Sequence, residues 1–100
     1  MTRTAPDSTV ATDRLRALID EEFDHLVAIR RDLHAHPELG YEEHRTSGVI
    51  RRELEAAGVA FVGDLAGGTG VLGHLPGAAE RAIGLRADID ALPILERTGV

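Results

Sequence analysis

Two helices followed by three strands, an α/β order, is the fold class the sequence predicts, and three observations predict it. Apolar residues recur at spacings of three and four over the first third of the chain. They do so again between residues 41 and 57. From Val59 onward the apolar residues fall into short runs rich in Val, Ile and Leu, separated by Gly-Gly and Pro-Gly. The first helix is expected over residues 12–36, where Leu15, Leu18, Ile19, Phe23, Leu26, Ile29 and Leu33 make one stripe. Thr12 or Asp13 can accept from its first free amides, and Pro37 disfavours the helical conformation at His36 and ends the run. The second helix is expected from Tyr41 or Glu42 to Ala57. Its stripe is Thr46, Val49, Ile50, the stem of Glu53, Leu54 and Ala57, with Gly58 where a left-handed cap belongs. The strands are expected at residues 59–65, 69–75 and 81–89. Leu75-Pro76-Gly77-Ala78 suits a type II turn between the last two. Gly67-Gly68-Thr69-Gly70 reads as a hairpin turn, since it has neither the Lys nor the following helix of a phosphate-binding loop.

Composition removes several functions. With 17 acidic against 11 basic residues in 100 and a net charge of −6, the chain lacks the basic stripe of a nucleic-acid module. Aromatic residues make up 3%, too few for a platform that stacks bases or sugars. The absence of Cys excludes a disulfide framework and a thiolate metal site within these residues. Residues 1–11 read as a disordered polar leader without the apolar run of a signal peptide, and no stretch approaches transmembrane length. A cytoplasmic protein that binds neither nucleic acid nor membrane is expected. The folded part is expected over residues 12–100. A first helix of roughly 37 Å would span the whole of a compact 100-residue body, about 34 Å across. Residues 97–100 resemble a loop. The chain is therefore expected to be the opening of a larger protein.

The third expected strand carries the densest chemistry. Alternation puts Ile83, Leu85, Ala87 and Ile89 on one face and Arg86, Asp88 and Asp90 on the other, near the carboxyl end where α/β sheets build ligand sites. Two carboxylates there can ligate a metal through oxygen or orient a metal-bound imidazole. The competing reading pairs Arg86 with one Asp and lets the other begin a turn before Pro93. His34-Ala35-His36-Pro37-Glu38 offers a His-x-His pair with a nearby Glu, a zinc-type set. On an intact helix, however, residues two apart point about 200° from each other. The same imidazoles can instead serve the last carbonyls of the first helix. His25 falls among charged residues on the outer side of that helix, His44 in the first turn of the next, and His74 in a strand; none receives a role. Arg51 and Glu55, four apart, read as a solvated pair.

The segments Ile29-Arg30-Arg31-Asp32-Leu33-His34-Ala35-His36-Pro37-Glu38-Leu39-Gly40-Tyr41-Glu42-Glu43, Gly68-Thr69-Gly70-Val71 and Gly84-Leu85-Arg86-Ala87-Asp88-Ile89-Asp90-Ala91-Leu92-Pro93-Ile94, in that order, resemble the start of a family of amidohydrolases. That family includes hippurate hydrolase, N-acyl-amino-acid amidohydrolases and indoleacetyl-amino-acid hydrolases, within the aminoacylase–carboxypeptidase superfamily. The resemblance covers residues 12–100. It implies the N-terminal portion of a zinc-exopeptidase-like catalytic domain, interrupted in the whole enzyme by a lid or dimerisation domain through which a homodimer could form. It further implies a small N-acyl amino acid substrate and a divalent metal pair (zinc, manganese, cobalt or nickel) that activates water. Relatives with a His-x-Asp pair at the strand end ligate metal through that His. Here Asp88 stands at the His position and Asp90 at the Asp position. The resemblance therefore implies that Asp90 orients a metal-ligating group from behind, with Asp88 in a lesser version of that role. His34, His36 and Glu38 are expected to pack beneath the cleft. The His-Ala-Cys-Gly-His-Asp segment that carries ligands in the family, and its Glu-Glu proton shuttle, are expected beyond Val100, so no metal is expected to bind these residues alone. Two other readings compete: a small α+β interaction module acting through a sheet edge, and a metal-carrying module built on His34 and His36.

Overall fold

The computed structural model describes residues 8–94, with the side chains of Ser8 and Thr9 excepted. The expected leader up to residue 7 and the expected loop at residues 97–100 lie outside the described residues. Helix α1 (Ser8–Ala35) has 28 residues, hence a length of about 42 Å. It begins before the expected Thr12, so residues 8–11, assigned to the leader, are helical. Ser8-Thr9-Val10-Ala11 contains neither Gly nor Pro to stop a helix from extending toward Pro6. The apolar stripe is present, but Leu15, Leu18, Ile19, Phe23 and Leu26 are exposed. Towards the C-terminal end of the helix, Ile29 and Leu33 are half-buried. The Cα radius of gyration is 17.1 Å, against about 13 Å for a compact chain of this length.

Helix α1 ends as its sequence predicts. The His36 N–H donates to the Leu33 carbonyl at 3.2 Å, and His36 Nδ1 donates to the Asp32 carbonyl at 2.8 Å. Both bonds satisfy carbonyls that the helix leaves unpaired. A turn follows in which the Glu42 N–H donates to the Leu39 carbonyl at 2.9 Å. Tyr41, its third residue, takes φ 66°, a left-handed value that favours Gly.

Helix α2 (His44–Ala56) starts later than the expected Tyr41 or Glu42, because Tyr41 is committed to that turn. Its C-terminus is a Schellman motif. The Gly58 N–H donates to the Glu55 carbonyl at 3.0 Å and the Val59 N–H to the Leu54 carbonyl at 2.9 Å. Gly58 takes the left-handed φ of 72° that this motif requires.

Strands β1 (Ala60–Leu65) and β2 (Gly70–His74) pair antiparallel. The register runs Ala60↔His74, Phe61↔Gly73, Val62↔Leu72, then Leu65↔Gly70 across a bulge. Asp64 sits in the bulge at φ 57°, and Ala66, Gly67 and Gly68 carry the turn at positive φ. A β-carbon at Gly70 would stand 3.1 Å from the Leu65 backbone, so a side chain there would make the ladder give by a few tenths of an ångström. Helix α2 lies on the hairpin where its glycines leave room. Leu54 reaches within 3.5–3.6 Å of the space above Gly73, and the Arg51 guanidinium lies against Gly63. Among the described residues, Val49, 4% exposed, is the buried apolar side chain. Arg51 does not pair with Glu55 as the spacing predicts. It bonds Asp64 Oδ1 at 2.9 Å, because the bulge brings Asp64 within reach of α2.

The third expected strand is not part of the sheet. Residues 81–94 carry no strand assignment, and Ile83 and Leu85 are 93% and 98% exposed. A strand needs a neighbour for its amides and carbonyls, and the sheet of the described residues has two strands. The type II turn at Leu75–Ala78 is also not formed, since Gly77 is not among the glycines at positive φ. Without a strand pairing back on β2, nothing closes that turn. Among the described residues no helix is long and apolar enough to cross a membrane.

Candidate functional site

Arg86, Asp88 and Asp90, singled out from sequence, meet the rest of the fold at one place. A cavity of about 320 Å³ lies between the Gly40–Tyr41 turn, the hairpin turn and residues 86–90. Arg86, Asp88 and Asp90 line it, and so do Ala87 and Ile89. The strict alternation expected of a strand is thus not kept, because no ladder holds the pleat. Asp88 Oδ1 is 3.2 Å from both Nε and Nη2 of Arg86, the pairing that the competing reading foresaw, and both side chains are exposed. Asp90 stands beside Gly40: a β-carbon there would lie 4.0 Å from Asp90 Oδ2. The segment is fixed at this point by the Ala91 N–H, which donates to the Glu38 carbonyl at 2.7 Å.

Two residues given no role from the sequence form the wall opposite. Glu43 and Thr69 are buried, at 6% and 3% exposure, and both line the cavity. Thr69 Oγ1 donates to Glu43 Oε2 at 2.6 Å, and the Tyr41 N–H donates to Glu43 Oε1 at 2.7 Å. The Thr69 hydroxyl, more than any other group, holds the Glu43 carboxyl below its ordinary value. Burial opposes this, and the Tyr41 amide assists. Glu43 is therefore an ionised carboxylate at neutral pH. The bond joins residues far apart in the chain, so no local pattern announces it.

Glu38 caps α2. Its Oε2 accepts the Arg45 N–H at 2.9 Å, and its Oε1 accepts both the N–H and the hydroxyl of Thr46 at 2.6 Å. Burial pushes the Glu38 carboxyl up, but the bonds from Thr46 and Arg45 outweigh it and the net displacement is downward. Glu43 occupies the N-cap position yet makes no side-chain bond to the helix. The remote Glu38 does that work and leaves Glu43 for Thr69.

The histidines do not converge. His34 is exposed near the end of α1, and His36 serves the Asp32 carbonyl. His25, though exposed, meets the next helix: its Nε2 lies 2.8 Å from Glu53 Oε2 of α2. Among the described residues no three His, Cys, Asp or Glu side chains form a group able to hold a metal ion. The residues present do not by themselves fit a metal pair.

Over about three quarters of its length the chain is similar in sequence to curated proteins several times longer, among them enzymes named as hydrolases and deacetylases. A hydrolase of Arabidopsis thaliana, IAA-amino acid hydrolase ILR1-like 2, is 50% identical over 76 residues, which is 76% of this chain and 17% of that protein. N-acetyl-L-cysteine deacetylase of Bacillus subtilis is 47% identical over 76 residues, 75% of this chain and 18% of the deacetylase. A Rhodococcus jostii protein named as a glutamate–cysteine ligase is 51% identical over 75 residues, 75% of this chain but 9% of its own length. The chain spans about 9–21% of the length of the curated relatives it matches. No family model and no solved structure matches it.

Proposed function

We propose that these residues belong to a hydrolase that cleaves the amide bond of N-acyl amino acids or similar small conjugates. The observation that carries this reading is the identity, near one half, with two relatives named for hydrolysis of amino-acid conjugates. In that reading the cavity wall at Asp90 and Asp88 faces the site of reaction. Asp90, anchored by the adjacent Ala91–Glu38 bond, orients a ligand of the catalytic metal from behind, and Asp88 contributes less because the exposed Arg86 engages it. The divalent ion is zinc, manganese, cobalt or nickel, and when bound it supplies an activated water. Its ligands come from outside these residues. A second copy of the whole enzyme is the proposed partner.

The test uses the whole protein that carries this segment. Asp90→Ala is expected to lower turnover of an N-acetyl amino acid by about 10–100-fold, the loss typical when the groups behind metal ligands are removed, and to lower bound metal. Wild-type turnover and metal content in that variant would remove the role given to Asp90.

A further inference from the structure

Around the cavity, we infer that Glu43 is a positioning residue for Asp90, acting through the turn at residues 39–42. The inference rests on the role proposed above for Asp90. Three observations carry it. First, Glu43 is released from capping α2, because Glu38 takes the Arg45 and Thr46 amides. Its two oxygens instead hold separate segments, Oε1 the Tyr41 N–H and Oε2 the Thr69 hydroxyl. Second, the Tyr41 N–H it holds belongs to a non-Gly residue at φ 66°. That conformation is disfavoured for a side chain of this size, so the turn keeps its shape only while something outside it fixes the backbone. Third, that turn is what Asp90 leans on. The space beside Gly40 is bounded by Glu43 Oε1 at 3.9 Å and by the Cβ and Oδ2 of Asp90 at 4.0 Å, and Glu38, two residues earlier, receives the Ala91 N–H.

The chain of contacts is therefore Thr69 to Glu43, Glu43 to Tyr41, and the Tyr41 turn to residues 90 and 91. Residues 81–94 have no ladder bonds to hold them in register, so the turn fixes where Asp90 stands. If Glu43 or its Thr69 anchor is removed, Tyr41 is free to relax toward negative φ. The Glu38 carbonyl then shifts and Asp90 is no longer held.

The experiment compares Glu43→Gln, Thr69→Val and Thr69→Ser in the whole protein by hydrogen exchange, melting temperature and steady-state kinetics with an N-acetyl amino acid. Glu43→Gln and Thr69→Val are expected to speed exchange over residues 88–94 by ten-fold or more. Both should lower kcat by at least ten-fold with KM within two-fold of wild type, and Thr69→Ser, which keeps the hydroxyl, should restore both. Wild-type exchange over 88–94 in Thr69→Val, or a loss of kcat that Thr69→Ser does not recover, overturns the inference even if Glu43→Gln fails to fold. Should Asp90→Ala keep wild-type kcat while Thr69→Val still speeds exchange over 88–94, the role of Asp90 falls and the coupling of Glu43 to that segment stands.

Discussion

Thr69 Oγ1 donates to Glu43 Oε2 at 2.6 Å, joining the hairpin turn to the threshold of α2 inside a buried wall. A hydroxyl given to a carboxylate is a charge-assisted bond, and in a buried place it favours the ionised form. The consequence is a stability that depends on acid. The Glu43 carboxyl lies below its ordinary value of 4.5 in the folded chain. Its contribution is therefore fully present above 4.5 and is lost as pH falls through the lowered folded value. Thermal unfolding followed from pH 7 to pH 3 should show the melting temperature falling over that lower window. Thr69→Val should fall less steeply there, because it starts without the bond. Parallel profiles for the two proteins would show that the hydroxyl does not hold the carboxylate.

His25 and Glu53 make the opposite kind of titration. Their side chains approach to 2.8 Å between α1 and α2. The hydrogen bond to Glu53, then its charge, raises the imidazole above 6.5. A raised value means that the contribution is complete below 6.5 and disappears as pH rises through the folded value. Both groups are partly solvated, so the stabilisation is small, and NMR is a better probe than melting. The His25 ring signals should titrate above 6.5 in the wild type and return to about 6.5, the value of an unperturbed His, in Glu53→Gln. An unchanged midpoint in that variant would mean that the two helices are not joined there.

Much of the fold is legible in the sequence, and what is not follows from distance along the chain. The stripe from Leu15 to Leu33 and the Gly58 cap are local signals, and α1, α2 and the Schellman end are formed, with the helix starts displaced by two to four residues. Val59–Leu65 and the Gly67-Gly68 turn likewise carry their own punctuation, and the hairpin follows within one residue. Residues 81–89 have the composition of a strand, but composition does not provide the neighbour that a ladder needs. At the site, Asp88 and Asp90 were visible as spaced carboxylates, whereas Glu43 was one Glu among several. Its partner lies 26 residues away. Glu38 misled for a related reason. Beside two histidines it suggests a ligand, and a capping acceptor is sought at the N-cap or three residues into a helix, not five residues before the N-cap.

The contact of Arg51 with Gly63 gives a prediction that separates packing from charge. A β-carbon at Gly63 would fall 2.6 Å from Arg51 Cζ and 2.7 Å from Nη2, closer than any real contact. The backbone of β1 cannot yield easily, since Val62 is in register with Leu72, so the guanidinium must leave. In Gly63→Ala, Arg51 gives up Asp64 Oδ1 and its place on the strand. An ion pair with an exposed partner contributes less than about 1 kcal/mol, so denaturant unfolding should show a loss of that order. In an Arg51→Ala background the same substitution should cost almost nothing, as a double-mutant cycle would report. An equal loss in both backgrounds would place the strain in the β1 backbone.

Glu38 offers the sharpest test of how the site is built. Three donors converge on it: the Arg45 N–H on Oε2, and the Thr46 N–H and hydroxyl on Oε1. The first turn of a helix leaves its amides without internal partners, and removing a capping acceptor typically costs about 0.5–2 kcal/mol. Glu38→Ala should fall in the upper half of that range, since two amides and a hydroxyl lose their acceptor together. Glu38→Gln should cost less, because one carbonyl oxygen remains to accept while the new amide nitrogen can only donate. Exchange of the Arg45 and Thr46 amides should quicken in the order wild type, Gln, Ala. Glu43 is the group placed to take over, as it already occupies the N-cap position, but it can do so only by releasing Thr69. If it does, Thr69→Val will have no further effect in the Glu38→Ala background, and the loss of Glu38 will reach Asp90 through the same turn.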